Sequence, residues 1–193
     1  MKKNLFNPFE KYSEYIILQF AVVGNILLLL LSYQFNTQFV GNLKINPTDC
    51  INLKDVVIQH AIIISTTTLL LYLTGFYLNA KTRFIDILAT YLLSRTSLLL
   101  VPLLNINNKM FHVFNQILAN ISVGNAENTI SNNLAALVLF IAITLLSFTW
   151  FFVLLYNGFK TATNAKDSKS IFLFITAVLI IEISVRILIN KTS

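Results

Sequence analysis

Few residues in this chain could do chemistry, and they are charges set in apolar surroundings. "KTRFIDILATYLLSRTSLLLVPLL", from Lys81 to Leu104, carries Asp86 near its start and Arg95 near its middle. "LIIEISVRILIN" carries Glu182 and, four residues on, Arg186, the acid-first order that suits an ion pair on one helix. Charges within apolar runs mark either packing clamps or paths for ions, protons and anionic substrates. If both segments cross a bilayer in the same direction, Arg95 and Glu182 each lie about 11 residues from the inner start of a helix, at one depth. The expectation is that they pair near the midplane, with Glu182 bridging to Arg186. A clamp is the favoured role, because only two His, one Cys and few acids are present to build a relay.

The other candidates have plainer roles. Asp86 follows Arg83 by three residues where a helix should begin, so Lys81, Arg83 and Asp86 read as a charged cytoplasmic turn. Asp86, Thr90, Ser94 and Ser97 form a small polar stripe suited to close helix packing, and Pro102 should kink the outer end. His60, ahead of Ser65, Thr66, Thr67 and Thr68, is read as hydrogen-bonded structure. No paired-acid, HExxH, Cys/His or glycine-rich phosphate pattern occurs, so no catalytic residue, metal or cofactor is assigned and the chain is read as a non-enzyme. Cys50 is the only cysteine.

These side chains need elements to hold them, and the composition says which. Of 193 residues, 56% are hydrophobic and 11% charged, with a mean hydropathy of +0.73. Ordinary soluble domains are about a quarter charged, which places this chain among membrane proteins. The net charge of +6 is scattered at the edges of apolar runs, where it meets lipid head groups, so nucleic acid is excluded as a partner. The basic N-terminus is not read as a cleaved signal peptide, since acidic and aromatic residues precede the apolar run.

Five runs reach the roughly 20 residues a crossing needs: 16–35, 56–78, 84–104, 134–156 and 171–190. The third tolerates its arginine because roughly ten Leu, Ile, Phe and Val at about −0.5 kcal/mol each outweigh one central Arg at about +3 kcal/mol. Between the third and fourth runs, "KMFHVFNQILANIS" places Met110, Phe111, Val113, Phe114, Ile117, Leu118 and Ile121 on one stripe, an amphipathic helix expected on the outer surface. Phe6, Phe9, Tyr12 and Tyr15 suggest an aromatic face before the first crossing. The fold expected is all-α: one domain, 1–193, an integral membrane bundle of five transmembrane helices with that short amphipathic helix.

Lys2, Lys3, Lys11, Lys81, Arg83, Lys160, Lys166 and Lys169 fall on one side, against Lys44, Lys54, Lys109 and Lys191 on the other. The N-terminus is therefore expected in the cytoplasm and the C-terminus outside. Sequons at Asn120 and Asn190 would face outside.

"NPFEKYSE", "KTRFIDIL" and "RTSLLLVPLL", with five runs, resemble the bacterial branch of the YIP family, the Ypt/Rab-interacting membrane proteins. The resemblance implies a five-helix membrane domain in a bacterial inner membrane. It also implies a non-enzymatic role in organising the bilayer or scaffolding membrane or cytoplasmic proteins. Eukaryotic members are linked to vesicle traffic and small GTPases; their long acidic tail and Tyr-Gly-Pro-type motif do not occur here. The alternative is a small transporter or channel subunit using Arg95, Glu182 and Arg186.

An odd number of crossings has a direct check. Single cysteines placed near each terminus of a Cys50→Ser background should label from opposite faces of sealed vesicles; labelling from one face would exclude five crossings.

Overall fold

The computed structural model describes residues 7–121, 126–165 and 167–192. Lys2, Lys3, Phe6, Ser122 and Lys166, used in the sequence reading, lie outside the described residues. After a 3-10 turn at Pro8–Glu10 the chain forms helix α1 (Glu14–Gln34), strands β1 (Thr37–Phe39) and β2 (Ile45–Pro47), and helix α2 (Leu53–Leu78). Helix α3 (Phe84–Arg95) continues as 3-10 turns over Thr96–Leu100 and Pro102–Asn108 into α4 (Lys109–Ile121). Then come α5 (Ala126–Asn132), α6 (Leu134–Thr163) and α7 (Ser168–Thr192). The protein is all-α apart from one antiparallel hairpin, in which Thr37 faces Pro47 and Phe39 faces Ile45.

Four helices, α1, α2, α6 and α7, are long and apolar enough to cross a membrane, or five if the bent pair formed by Phe84–Leu100 and Pro102–Ile121 counts as one span. The bend is 41° and falls before Pro102, whose ring cannot continue the preceding helix. Helix α6 runs about 45 Å, well beyond the roughly 30 Å of a hydrocarbon core, so its last turns extend past the apolar run. Its buried residues all lie from Ser147 onward, toward the C-terminal end.

Named contacts fix the relative directions of the helices. Helices α1 and α3 are parallel: Arg83 meets Glu14 at one end, and Asn25 Nδ2 donates to Leu92 O at 2.7 Å farther along. That carbonyl is free because the Thr96 amide bonds to Leu93 O, three residues back, where the helix tightens. Helices α3 and α6 are antiparallel, for Ser97 Oγ donates to Ser147 O while Thr90 packs on Gly158. A Cβ at Gly158 would run into Thr90 and Phe9, so this crossing requires glycine. At the same end, Asn79 Nδ2 donates to Thr163 O and Thr82 Oγ1 to Gly75 O, tying α2 to α6 and to the turn into α3.

The opposite end is tied by asparagines. Asn36, Asn107 and Asn108 take left-handed backbone, which asparagine tolerates better than other residues with side chains. Asn105, 1% exposed, donates to the carbonyls of Phe35, Asn36 and Thr48, joining the end of α1, the hairpin and the segment after the bend. Asn108 donates to Asp49 O and accepts from Asn36 Nδ2. Helix α4 begins on this knot, with Met110 and Val113 buried while Leu118 and Ile121 stay exposed.

Asn105→Ala should remove the buried carboxamide that links Phe35 O, Asn36 O and Thr48 O, leaving the first two to their bonds from Thr37 and Thr48, and should lower stability by about 1–3 kcal/mol. A thermal melt in detergent, followed by fluorescence, checks this; an unchanged midpoint would mean the knot does not hold this end of the bundle.

Candidate functional site: a hairpin tip among buried charges

Strands β1 and β2 are too short to stand as a sheet, and their turn, Val40 to Lys44, enters the bundle. Phe39 is 1% exposed and Val40 8%. The turn closes on itself through Val40 N–H to Lys44 O at 2.9 Å. Asn42 Nδ2 donates to Thr67 Oγ1 at 3.1 Å. Thr67 lies about 21 Å along α2 from Leu53, and Glu182 about 21 Å along α7 from Ser168, so the tip reaches mid-length on both helices.

Backbone at that depth has no water to bond, and its free amides must find acceptors. Glu182 supplies one. Its Oε2 accepts from Asn42 N at 2.9 Å and Leu43 N at 3.3 Å, while Oε1 accepts from Arg186 Nε at 2.9 Å and Nη2 at 2.8 Å. The expected i,i+4 pair with Arg186 is present, and its arginine side chain is 44% exposed. Gly41 lets the tip come this close, since a Cβ there would lie 2.6 Å from Glu182 Oε1.

The expected pairing of Arg95 with Glu182 is not formed: no ion pair joins them among the described residues. The hairpin stands between. Arg95 Nη1 reaches Tyr91 Oη at 3.4 Å, Tyr91 Oη donates to Asn42 Oδ1 at 2.5 Å, and the Asn42 amide completes the path to Glu182. The two charges therefore communicate through Tyr91 and Asn42. Arg95 is 1% exposed, with the rings of Phe39 and Tyr91 at 5.7 and 5.9 Å from its guanidinium carbon. Its Nε and Nη2 have no hydrogen-bond partner.

His60 stands on the other side of Phe39, ring centroids 5.4 Å apart. Its Nδ1 is 3.0 Å from Val56 O, an acceptor only, so Nδ1 carries the proton and Nε2, also without a partner, is an acceptor. Unpaired donors on Arg95 and an unpaired acceptor on His60 thus flank one buried ring.

The charged turn at Lys81–Asp86 forms a separate group. Arg83 donates from Nε and Nη2 to both oxygens of Asp86 and reaches Glu14 Oε1 at 2.8 Å. Asp86, then Glu14, hold this guanidinium above its usual pKa. Lys81 contributes its backbone amide, which donates to Asn79 Oδ1. Sequence reasoning did not find Glu14, Asn42, Tyr91 or Thr67 in these roles; only the Gly-Asn pair at 41–42, a common turn signal, pointed to a hairpin.

No protein-family model, curated protein or solved structure matches this chain.

Gly41→Val should push the tip off Glu182. Amide exchange at Asn42 and Leu43 should speed up at least tenfold, about 1.4 kcal/mol in opening free energy. Wild-type protection in that variant would mean the tip is held by something other than this carboxylate.

Proposed function

We propose that this chain is a five-crossing, non-enzymatic protein of a bacterial inner membrane, with its N-terminus in the cytoplasm, that organises the bilayer or scaffolds partners. The resemblance to the YIP family belongs to this proposal. Alternating helix directions favour five crossings, with the 3-10 turns of Thr96–Leu100 extending α3 to about 28 Å. Lipid suits the exposed apolar side chains on the long helices, among them Phe20, Tyr77, Leu146 and Phe172. The exposed Leu118 and Ile121 suit an amphipathic α4 resting on the outer leaflet. Partners on the cytoplasmic side would meet the turn with Lys81, Arg83 and Asp86 and the segment from Tyr156 to Lys169.

One observation carries the scaffold reading over a pathway. The carboxylate at mid-depth is bonded to backbone and to Arg186, and Asn42 links it to Tyr91 and Thr67, so these groups fasten the hairpin into the bundle. The space left beside them, lined by Asn42, Thr67, Phe151 and Ile181 among others, is about 10 Å³, room for one water at most.

A second reading, a small transporter or channel subunit, is favoured by one other observation: Arg95 Nε and Nη2, which carry three N–H bonds between them, have no hydrogen-bond partner among the described residues. On that reading the hairpin tip is the plug, and withdrawing it opens the way to an anion.

Glu182→Gln separates the two. Its amide nitrogen cannot accept, so a clamp loses about 1–3 kcal/mol and melts earlier, with no chloride or proton flux in vesicles before or after. A transport site keeps its melting point and loses flux that the wild type shows. Full stability with no flux in either protein would sink both roles.

A further inference from the structure

At the outer end, beside the base of the hairpin, lies a cavity of about 220 Å³ lined by Gln38, Thr48, Cys50, Asn52, Asp55 and Gln59, with Ile51 and Ile58. It is separate from the buried charges, and only its placement on the outer side rests on the topology proposed above. Gln59 is the unusual member. It is only 4% exposed, yet its carboxamide has no hydrogen-bond partner among the described residues. Neither of its side-chain polar atoms is fully enclosed, so the carboxamide opens onto the cavity, where solvent or a ligand can bond it. Its neighbours in the chain are otherwise engaged: Ile58 forms part of the same wall and His60 turns to Phe39.

The lining restricts what fits. The Gln38 and Gln59 carboxamides both donate and accept, while Thr48 Oγ1 already donates to Asn36 O and Asn52 Nδ2 to Asp55 Oδ2, so these two offer mainly acceptor oxygens and the ligand must carry donors and acceptors together. No cation lines the cavity, and Asp55 already complements the positive end of α2, which disfavours an anion. Ile51 and Ile58 give an apolar wall for C–H surface. The volume is below the range of drug-sized pockets, roughly 300–1,000 Å³. We propose that this cavity binds a single neutral sugar ring from the outer side, its hydroxyls meeting the carboxamides, Thr48 and Asp55 and one face resting on the isoleucines. Gln59 is the residue such a ligand would complete.

Cys50, exposed and the only thiol in the chain, lies in the cavity wall and reports occupancy without any added label site. The full chain in detergent is treated with a maleimide in the presence of glucose, galactose, mannose or N-acetylglucosamine at rising millimolar concentrations, with sodium sulfate as the anionic probe. At least one sugar should slow Cys50 alkylation saturably, fivefold or more, and sulfate should not. Gln59→Leu and, separately, Gln38→Ala should keep the wild-type helical spectrum and alkylation rate in buffer while losing the protection. No saturable protection by any of the four sugars overturns the proposal, as does protection by sulfate, or protection retained in both variants.

Discussion

The structure depends on one requirement: two backbone amides placed at mid-length between membrane-type helices must have an acceptor. Non-helical chain is tolerated at that depth only where protein, or water in a cavity, satisfies it. Here Glu182 meets the Asn42 and Leu43 amides, and Arg186 balances the carboxylate from the same helix. Without the hairpin, a carboxylate within α7 would answer only to Arg186. Without the carboxylate, the Asn42 and Leu43 amides would lose their acceptor. Each makes the other's position tolerable, and Gly41 sets the separation at which both can be met.

The rest of the bundle is arranged around this insertion. Phe39 wedges between His60 and Arg95, Asn42 gathers Tyr91 and Thr67, and so one turn of five residues touches α2, α3 and α7. The two ends are fastened by different chemistry. At the end bearing Arg83, charges meet where water and head groups screen them, and their contribution to stability is small. At the other end, asparagine carboxamides bond to turn carbonyls, adding to the bonds that Phe35 O and Asn36 O accept from Thr37 and Thr48, a neutral solution that holds wherever solvent is scarce.

Much of the architecture was legible because periodicity and length carry it. The apolar runs became α1, α2, α6 and α7 within a few residues, except that α6 continues to Thr163, past the apolar run but still packed on α2 and α3. Pro102 gave the bend, and local spacing gave both Arg83 with Asp86 and Glu182 with Arg186. What stayed hidden was long-range. Residues 35–52 show neither a strand alternation nor a helical stripe, and three-residue strands leave almost no pattern to read. Placing Arg95 and Glu182 at one depth counts residues along each helix, and such a count does not say what stands between two helices. Glu14, 69 positions from Arg83 in the chain, could be found only once α1 and α3 were known to run side by side.

Arg95 remains the costly residue, and its surroundings show how the cost is distributed. Two ring faces contribute about 0.5–2 kcal/mol each as cation–π contacts, of the same order as the roughly 3 kcal/mol for inserting a central arginine. It sits where α3 tightens into 3-10 turns, and the hydroxyls of Ser94, Thr96 and Ser97 bond back to carbonyls three or four residues earlier across that junction. Tightening there redirects the following residues toward the Pro102 bend and frees Leu92 O for Asn25 on α1. The guanidinium is thus built into the one place where the helix departs from regular geometry, backed by Phe39 from the hairpin. A hairpin that anchors itself on one buried charge and shields another with its own ring ties the shape of the third helix to the seating of the tip.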